Sequence, residues 1–294
     1  MKNFALILTF LLLTQFSFSQ DILDYSPRDG VYDKDIRDGD RQRMIQDYQY
    51  VREADVMWST KIEREIDLRE KVNQVFYYPI NPINDRRNLI DVLLDGLKEG
   101  TIIGYEYTIF RPSDFGKELS QFEAENIGLI KLGIDPVETI DEVDPTTNEL
   151  VRVTRTNEFG PEYKSRVKKY LVKEEWFFDK SRSVMEVRII GICPIMDDIK
   201  DGNKIGEKNL FWVYYPQARK VLSKAEVFNH RKNDAARLTY DDIFQKRFFN
   251  SRIIKESNKY DRFINEYKVG LDALLEAEKI KEEIFNLEHD LWEY

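Results

Sequence analysis

The chain contains 294 residues, with 54 acidic and 45 basic side chains and a formal net charge of −9 at pH 7. Its content of 42% hydrophobic and 13% aromatic residues is enough to build a core and excludes a wholly disordered chain. The acidic balance disfavours binding to nucleic acid or to anionic lipid, and the single cysteine, Cys193, excludes an internal disulfide.

Residues 1–19 have the layout of a cleavable export signal. Lys2 precedes an apolar run over 4–13, which is followed by the small-residue pattern Ser17-Phe18-Ser19 and then by Gln20. This order predicts cleavage between Ser19 and Gln20. The run has about half of the roughly 20 residues that a membrane-spanning helix needs. Position 20 is glutamine rather than the cysteine that would carry a lipid, so we expect an exported, soluble protein without a lipid anchor or a membrane span.

The pattern along the remaining chain divides it into three parts. Residues 20–50 are polar and lack sustained periodicity, which predicts an extended N-terminal arm. Residues 51–258 carry the apolar patterns of a core domain, with an acidic insertion at about 135–165. Residues 259–294 are predicted to form an amphipathic, charged C-terminal helical segment.

The core domain begins with a predicted helix over 53–74. Trp58, Ile62 and Ile66 recur at four-residue steps, which is typical of one apolar helix face. A short β-prone aromatic segment, 75–78, follows and is closed by Pro79.

Four further elements are expected before the sheet. The pattern predicts a helix over 88–97 and a strand over 102–110. A second helix is expected to begin at Ser113 or Asp114, either of which can act as its cap. The acidic insertion is expected to lie at the surface, with a short hairpin around 151–154.

Three strand candidates follow in series at 170–179, 183–196 and 208–215. Their linkers are short enough for an antiparallel meander over about 170–216. A helix is predicted after Pro216, and another is predicted after a cap at Thr239 or Asp241. This second helix is predicted to carry Ile243, Phe244, Phe248 and Ile253. The combination of helices with one antiparallel sheet predicts an α+β fold.

The C-terminal segment carries apolar residues at a spacing of mostly three to four. Gly270 interrupts this stripe and weakens a helix by about 1 kcal/mol relative to alanine, which leaves a kink or two shorter helices as alternatives. The stripe comprises Phe263, Tyr267, Leu271, Leu274, Ile280, Ile284, Leu287 and Leu291.

Residues that could carry catalysis or bind a metal are few. His230 and His289 lack a ligand-like partner three or four residues away, which favours solvated or capping roles over a zinc site. Cys193 lies in an apolar strand candidate, which predicts a buried, inert thiol. The sequence contains no Gly-rich phosphate loop and no serine elbow motif. We therefore expect no catalytic residue, no metal and no cofactor.

Two charged stretches also favour structural interpretations. Residues 197–208 resemble a calcium loop with Gly202 at its sixth position, but Ile199 and Lys208 stand where acidic ligands belong. A polar hairpin turn around Asp201-Gly202 is the favoured interpretation. The basic residues Lys164, Arg166, Lys168 and Lys169 follow the acidic insertion, which could neutralise them within the molecule or between molecules.

One segment combines Trp58 with the run Arg64-x-Ile66-Asp67-Leu68-x-x-Lys71-x-Asn73 and the pair Tyr78-Pro79, and it resembles the GldN/PorN family of gliding-motility proteins. The family pattern is a tryptophan, an Arg-x-Ile-Asp-Leu-x-x-Lys-x-Asn core and a Tyr-Pro pair. Further similarity lies in 94–100, at Tyr105 and in 211–216, so that the resemblance spans essentially the whole mature chain. The matching residues are Trp58, Arg64, Ile66, Asp67, Leu68, Lys71, Asn73, Tyr78 and Pro79.

The resemblance implies a non-catalytic structural role in the type IX secretion system, which exports proteins across the outer membrane and underlies gliding. Its implied partners are the GldK/PorK lipoprotein, neighbouring GldN subunits in a periplasmic ring, and the GldL/GldM motor complex. Without a lipid of its own, the protein would be held at the inner face of the outer membrane by its lipoprotein partner. An exported glycan-binding protein or hydrolase is the alternative, since aromatic and acidic residues can build a sugar site.

A ring subunit needs different surfaces for its neighbours and its lipoprotein. We expect the N-terminal arm or the C-terminal stripe to pack on the lipoprotein or an adjacent subunit, with packing inside the same chain as the alternative. The candidate interface residues are Phe263, Tyr267, Leu271, Leu274, Ile284, Leu287 and Leu291.

Overall fold

The computed structural model describes residues 45–83, 86–108, 114–143, 150–200, 202–229 and 237–292. The expected export signal, its cleavage site at Ser19-Gln20 and the arm up to residue 44 lie outside the described residues. So does His230.

Eleven strands and eight helices are present in the described ranges, which confirms the α+β fold class. The strands are β1 (Val56–Asp67), β2 (Gly104–Glu106), β3 (Val137–Val143), β4 (Leu150–Thr156), β5 (Val167–Asp179), β6 (Val184–Lys200), β7 (Asn203–Asn209), β8 (Phe211–Tyr214), β9 (Glu226–Val227), β10 (Leu238–Thr239) and β11 (Arg252–Glu256). The helices are α1 (Gln74–Tyr77), α2 (Leu89–Lys98), α3 (Gln121–Leu132), α4 (Pro161–Lys164), α5 (Tyr215–Leu222), α6 (Tyr240–Gln245), α7 (Ile264–Tyr267) and α8 (Leu271–Trp292).

The main sheet has seven antiparallel strands in the order β11-β1-β5-β6-β8-β2, with β7 also paired to β6. The predicted meander is confirmed, because β5, β6, β7 and β8 follow one another and each of the other three pairs with β6. Gly202 turns the chain between β6 and β7 with a φ of +79°. The hairpin expected in the acidic insertion is also present, as β3 paired with β4.

The helices predicted over 88–97 and after Thr239 are confirmed, and each begins with a side-chain cap. The side chain of Asn88 accepts a hydrogen bond from the Asp91 amide at the start of α2. Thr239 begins α6 with a reciprocal capping box to Asp242, an arrangement that satisfies amides left free at a helix start. In the C-terminal segment, Gly270 has a φ of +62° and separates α7 from α8, so the alternative of two helices is the correct one.

The helix predicted over 53–74 is wrong, since most of it is the 12-residue strand β1. Residues spaced by four also share one face of a strand, where side chains alternate with a period of two. Trp58, Ile62 and Ile66 therefore fit both structures. Along β1 the even-numbered residues are the more buried ones as far as Ile62, and Arg64, a charged residue, occupies this face between Ile62 and Ile66.

Other sequence-based boundaries were also wrong. The β-prone segment 75–78 forms helix α1 and one extended residue. The strand expected over 102–110 is limited to Gly104–Glu106 within the described residues. Asp114 is not helical, Ser113 lies outside the described residues, and the next helix, α3, begins after a capping box at Ser120. Phe248, expected on the same helix as Ile243 and Phe244, lies beyond the end of α6 at Gln245, and Ile253 belongs to β11.

The two faces of the sheet are covered differently. One face packs against α2, α5 and α6 in the largest apolar cluster, which includes Ile66, Tyr170 and Val172. Farther along the same face, Ile62 and Ile253 pack against α8 in a second cluster. The opposite face carries Leu171, Cys193 and Trp212, which pack against Tyr105, Tyr107 and Phe115.

Candidate interaction surface

The family-pattern residues on β1 are mostly buried. Ile62 and Ile66 point to the helix-covered face and flank Arg64, which is only 7% exposed. Because a buried guanidinium needs a partner, Arg64 requires a carboxylate nearby, and Val172, the residue directly opposite it on β5, cannot supply one.

That partner is Glu174 on β5, which is fully buried. Arg64 Nε lies 2.9 Å from Glu174 Oε2, and Arg247 Nη1 lies 2.8 Å from Glu174 Oε1. Trp176 Nε1 also donates a hydrogen bond to Glu174 Oε2, at 3.1 Å, and both guanidinium groups lie over the Trp176 ring. We refer to Arg64, Glu174, Trp176 and Arg247 as the buried ionic cluster.

The buried ionic cluster separates the two apolar clusters on the helix-covered face. Burial lowers the pKa of Arg64, while the charge of Glu174 opposes this shift. Arg247 itself has a φ of +53°, an unfavourable backbone conformation for a residue with a side chain. These contacts are all within the chain, which assigns Arg64 a structural role.

The end of the family pattern ties the turn after β1 to the start of β11. Asn73 is fully buried, and its Nδ2 donates to the carbonyl oxygens of Asp67 and Asn250 at 2.8 and 2.9 Å. Its Oδ1 accepts from the Asn250 amide at 2.9 Å. The side chain thus satisfies three backbone groups of two segments that are far apart in sequence.

The other family-pattern residues are divided between core and surface. Leu68 is buried, and Trp58 is partly buried against the second apolar cluster. Asp67 forms an ion pair with Arg69, and hydrogen bonds from Arg69 lower the pKa of the Asp67 carboxyl. Lys71 is exposed.

Tyr78 and Pro79 follow helix α1 and are joined by a cis peptide bond. Tyr78 is 49% exposed, and its ring stands edge-on to Tyr77. Family-pattern residues are therefore present both in the core and on the surface.

Cys193 on β6 and His289 on α8, the catalytic candidates within the described ranges, lie on different elements of the fold. Cys193 is completely buried, and its burial raises the pKa of the thiol well above the usual value. His289 lies on α8. Within the described ranges no group of three or more His, Cys, Asp or Glu side chains is placed to hold a metal ion.

The basic residues that follow the acidic insertion all have partners inside the molecule. Lys164 pairs with Asp91 at 2.5 Å, Arg166 with Glu162 at 3.2 Å and Lys169 with Glu207 at 2.9 Å. Lys168 Nζ donates to the Tyr77 hydroxyl at 2.8 Å. Three of the four basic residues are therefore paired with acidic side chains of the same chain, and Lys168 contacts the uncharged Tyr77.

The C-terminal stripe is divided by the structure into a buried part and an exposed part. Ile280 and Ile284 are 4% and 6% exposed and pack against Ile62 and Ile253. Phe263 and Leu287 are half-buried. The side chain of Leu291 lies outside the described residues.

The opposite side of α8 exposes apolar side chains. Leu271 is 70% exposed, Leu274 47%, Leu275 59% and Phe285 67%. Leu271, Leu275 and Phe285 are four and ten residues apart, which places them within roughly 80° of one another around a helix of 3.6 residues per turn. We call Leu271, Leu274, Leu275 and Phe285 the outer face of α8. Tyr267 and Val269, which precede the helix, are also exposed.

The outer face lies in an acidic setting. Helix α8 carries seven acidic and two basic residues, a formal charge of −5 with neutral histidine. The pKa of Glu256 on neighbouring β11 is raised, first by burial and then by the charges of Glu283 and Glu276. The negative potential therefore extends from the helix to the edge of the sheet.

A cleft of about 140 Å³ lies between β11 and the two C-terminal helices. Leu274 of the outer face and Ile264 of α7 both line it, so the exposed apolar surface continues into a depression. The remaining lining residues are Arg252, Ile253, Ile254, Asn265, Gly270, Ala273 and Ala277.

The sequence-based interface prediction missed Leu275 and Phe285 because it followed a single stripe. The missing signal was a second apolar series on α8, offset from the first by about half a helical turn. An amphipathic helix with one apolar face buries that face, whereas apolar residues on both faces indicate a second contact.

Among the described residues, no helix combines the length and apolarity needed to cross a membrane. No curated protein matches this chain. Residues 51–293 match the family model described as gliding motility associated protein GldN, which confirms the resemblance carried by Arg64, Asn73 and their neighbours. The match covers more than four fifths of the chain, which therefore belongs to the GldN family, a structural component of the gliding-motility and type IX secretion machinery.

Proposed function

We propose that this protein is a non-catalytic structural subunit that forms a periplasmic ring with the GldK lipoprotein and links that ring to the GldL/GldM motor. Family membership supports a role in the gliding-motility and type IX secretion machinery. The export layout of residues 1–19 supports a location in the periplasm. In this proposal the lipoprotein partner holds the subunit near the inner face of the outer membrane.

The observation that carries this proposal is the outer face of α8. A helix whose inner face is already packed on the sheet gains nothing within its own fold from Leu271, Leu275 and Phe285. A cluster of exposed large apolar side chains is typical of an interaction surface. Burying such residues in a partner supplies the largest contributions to association.

The charge of α8 narrows the chemistry of its partner. At a formal charge of −5, two copies of this helix would repel one another. A surface with apolar residues surrounded by lysine and arginine would complement it. We assign this face to the lipoprotein partner, with a different, basic surface of the neighbouring subunit as the other outcome of the test.

The structure determines which variants can test the proposal. Deletion of the C-terminal segment would remove Ile280 and Ile284 from the core, so failure of such a variant would not distinguish folding from binding. Serine at Leu271, Leu275 and Phe285 changes only exposed side chains. The matched control is Ile205→Ser on β7, where the isoleucine is 63% exposed.

The experiment is co-purification of GldK with the tagged full-length protein from its native cells. We expect the triple variant Leu271→Ser/Leu275→Ser/Phe285→Ser to lose at least nine tenths of the co-purified lipoprotein, because each lost anchor weakens binding by about tenfold. The Ile205→Ser control should retain it. Unchanged recovery of the lipoprotein with the triple variant would contradict the assignment of this face.

If the lipoprotein stays bound but the large particle breaks into single subunit pairs, the face belongs to the neighbouring subunit. A stable monomer that never co-purifies with any lipoprotein, even without substitutions, would contradict the ring itself.

A further inference from the structure

The last residues of the N-terminal arm lie in a site formed by three separate elements. The Tyr48 ring lies beside the guanidinium groups of Arg188 and Arg219, whose Cζ atoms are 5.1 and 4.7 Å from the ring centroid. The Tyr48 hydroxyl accepts a hydrogen bond of 2.9 Å from Gln245 Nε2. Such paired cation–π contacts favour an aromatic ring over an aliphatic side chain.

The next residue is held through both its side chain and its backbone. Gln49 Oε1 accepts from Arg182 Nη1 at 2.7 Å, and the Gln49 carbonyl accepts from Arg188 Nη2 at 2.6 Å. Tyr50, by contrast, is 89% exposed. We call Arg182, Arg188, Arg219 and Gln245 the arm site.

The arginines of the arm site are fixed by other contacts of the folded domain. Arg219 Nε lies 3.0 Å from Asp241 Oδ1, and Arg182 pairs with both Asp179 and Glu186 at 2.7 Å. The Arg188 guanidinium also packs on the Phe177 ring. The site is therefore organised by β6, the turn before it, α5 and α6, through contacts that do not involve the arm.

The connection between the arm and the domain is weak. No backbone-to-backbone hydrogen bond joins residues 45–51 to the rest of the described chain. The first such anchor is at Asp55, whose carbonyl accepts from the Lys180 amide at 2.8 Å. Residues 50–54 are exposed or half-buried, so nothing between them and the domain determines which copy supplies Tyr48 and Gln49.

We propose that, in the assembled ring, the arm site holds residues 45–50 of a neighbouring copy. This inference rests on the proposed ring function. Exchange of an identical segment keeps every contact of the closed monomer and adds a link between subunits. In a free monomer the short linker favours the chain's own arm, whereas in a ring the neighbouring site is present at a comparable effective concentration.

The experiment uses two full-length chains with different tags, expressed together in the native cells. One chain carries Gln49→Cys and the other carries Arg182→Cys, and a short bismaleimide reagent is added to the assembled particle. Cys193 is buried and does not react, so a product joining the two tags can form only between copies. We expect this product in the particle.

Two tyrosines, one on each side of Gln49, provide a test variant and its matched control. Adding Tyr48→Ala to the cysteine chain should lower the yield of the joined product by about tenfold, because it removes two cation–π contacts and a hydrogen bond. Adding Tyr50→Ala should leave the yield unchanged.

The outcomes separate the exchange from the ring. A particle without a product between tags, when a chain with both cysteines cross-links to itself, would overturn the exchange and leave the ring intact. Failure of the unsubstituted chain to form any large particle would overturn the proposed function and the exchange with it.

Discussion

The strand β1 and the outer face of α8 reverse the usual distribution of polar and apolar residues. On β1, Arg64 is buried and meets Glu174 in the centre of the fold. On α8, Leu271, Leu275 and Phe285 are more than half exposed. The chain thus places charged groups inside and large apolar groups outside, at two sites that lie on either side of the same apolar cluster.

The buried charges of β1 and the exposed apolar residues of α8 serve two different roles, fold specificity and assembly. Buried polar groups with all partners inside the chain make one fold specific, since any change leaves an unsatisfied group. Exposed apolar groups contribute little to a monomer and become useful only when another surface covers them. We therefore expect substitutions on β1 to affect stability and substitutions on the outer face to affect assembly.

The largest effect is expected at Glu174. Glu174→Ala leaves the buried Arg64 and the half-buried Arg247 without their carboxylate and should lower the free energy of unfolding by about 3–5 kcal/mol. Urea unfolding measures this. Glu175→Ala on the same strand, half-buried on the opposite face, should change it by less than about 1 kcal/mol. Equal effects at the two positions would contradict the role given to the buried ionic cluster.

The next largest effect is expected on the buried face of α8, and it can be compared directly with a substitution on the outer face. Ile280→Ala removes a side chain that is 4% exposed and should lower the free energy of unfolding by about 3 kcal/mol. Leu275→Ala, five residues earlier and 59% exposed, should change it by less than about 0.5 kcal/mol. Thermal unfolding of the two purified variants checks the difference, and a larger loss at Leu275 would reverse the assignment of the faces.

A smaller loss is expected at Asn73. Asn73→Ala removes three hydrogen bonds to backbone groups of two segments and should lower the free energy of unfolding by about 2 kcal/mol. Asn126→Ala provides the control, because this half-buried asparagine bonds to the Phe122 carbonyl within its own helix, α3. Faster amide hydrogen exchange near Asn250 in the Asn73 variant would locate the effect, and unchanged exchange there would argue against a link between the segments.

The pH dependence of stability tests the contacts of the Asp179 carboxylate, which lies next to the turn that also carries Arg182 of the arm site. Hydrogen bonds from Ser181 and Arg182 lower the pKa of Asp179 from 3.8 to about 2. Because this pKa is lower in the folded than in the unfolded protein, the carboxylate stabilises the fold above about pH 4, and this contribution is lost as the pH falls towards 2. Asp179→Asn should therefore show a shallower decline of stability between pH 4 and pH 2, and identical profiles would contradict the shift.

The sequence predicted those elements whose signals are local. The helix over 88–97, the Thr239 cap and the strands from β5 to β8 depend on neighbouring residues, and each lies close to where the pattern placed it. The strand β1 was missed because a spacing of four satisfies both periods. Only the partner of Arg64, 110 residues away on β5, distinguishes the strand from a helix.

For the candidate interaction surface, the sequence predicted the helix but not which of its faces is exposed. The apolar stripe located the C-terminal helix, but Ile280 and Ile284 turned out to serve the core. Which face meets the sheet depends on Ile62 and Ile253, contributed by two distant strands, and this determines that Leu275 and Phe285 are exposed. The contacts of Tyr48 likewise depend on arginines brought together from β6 and α5.

The central claim is that the outer face of α8 is covered by another subunit in the cell. A photoreactive phenylalanine analogue placed at Leu275 in the full-length protein, expressed in its native cells, tests it most directly, with the same substitution at Ile205 as control. The account predicts a cross-link to a second protein from position 275 and none from position 205, with unchanged thermal unfolding of both variants. Cross-links from neither position, in cells that still assemble the ring, would contradict it.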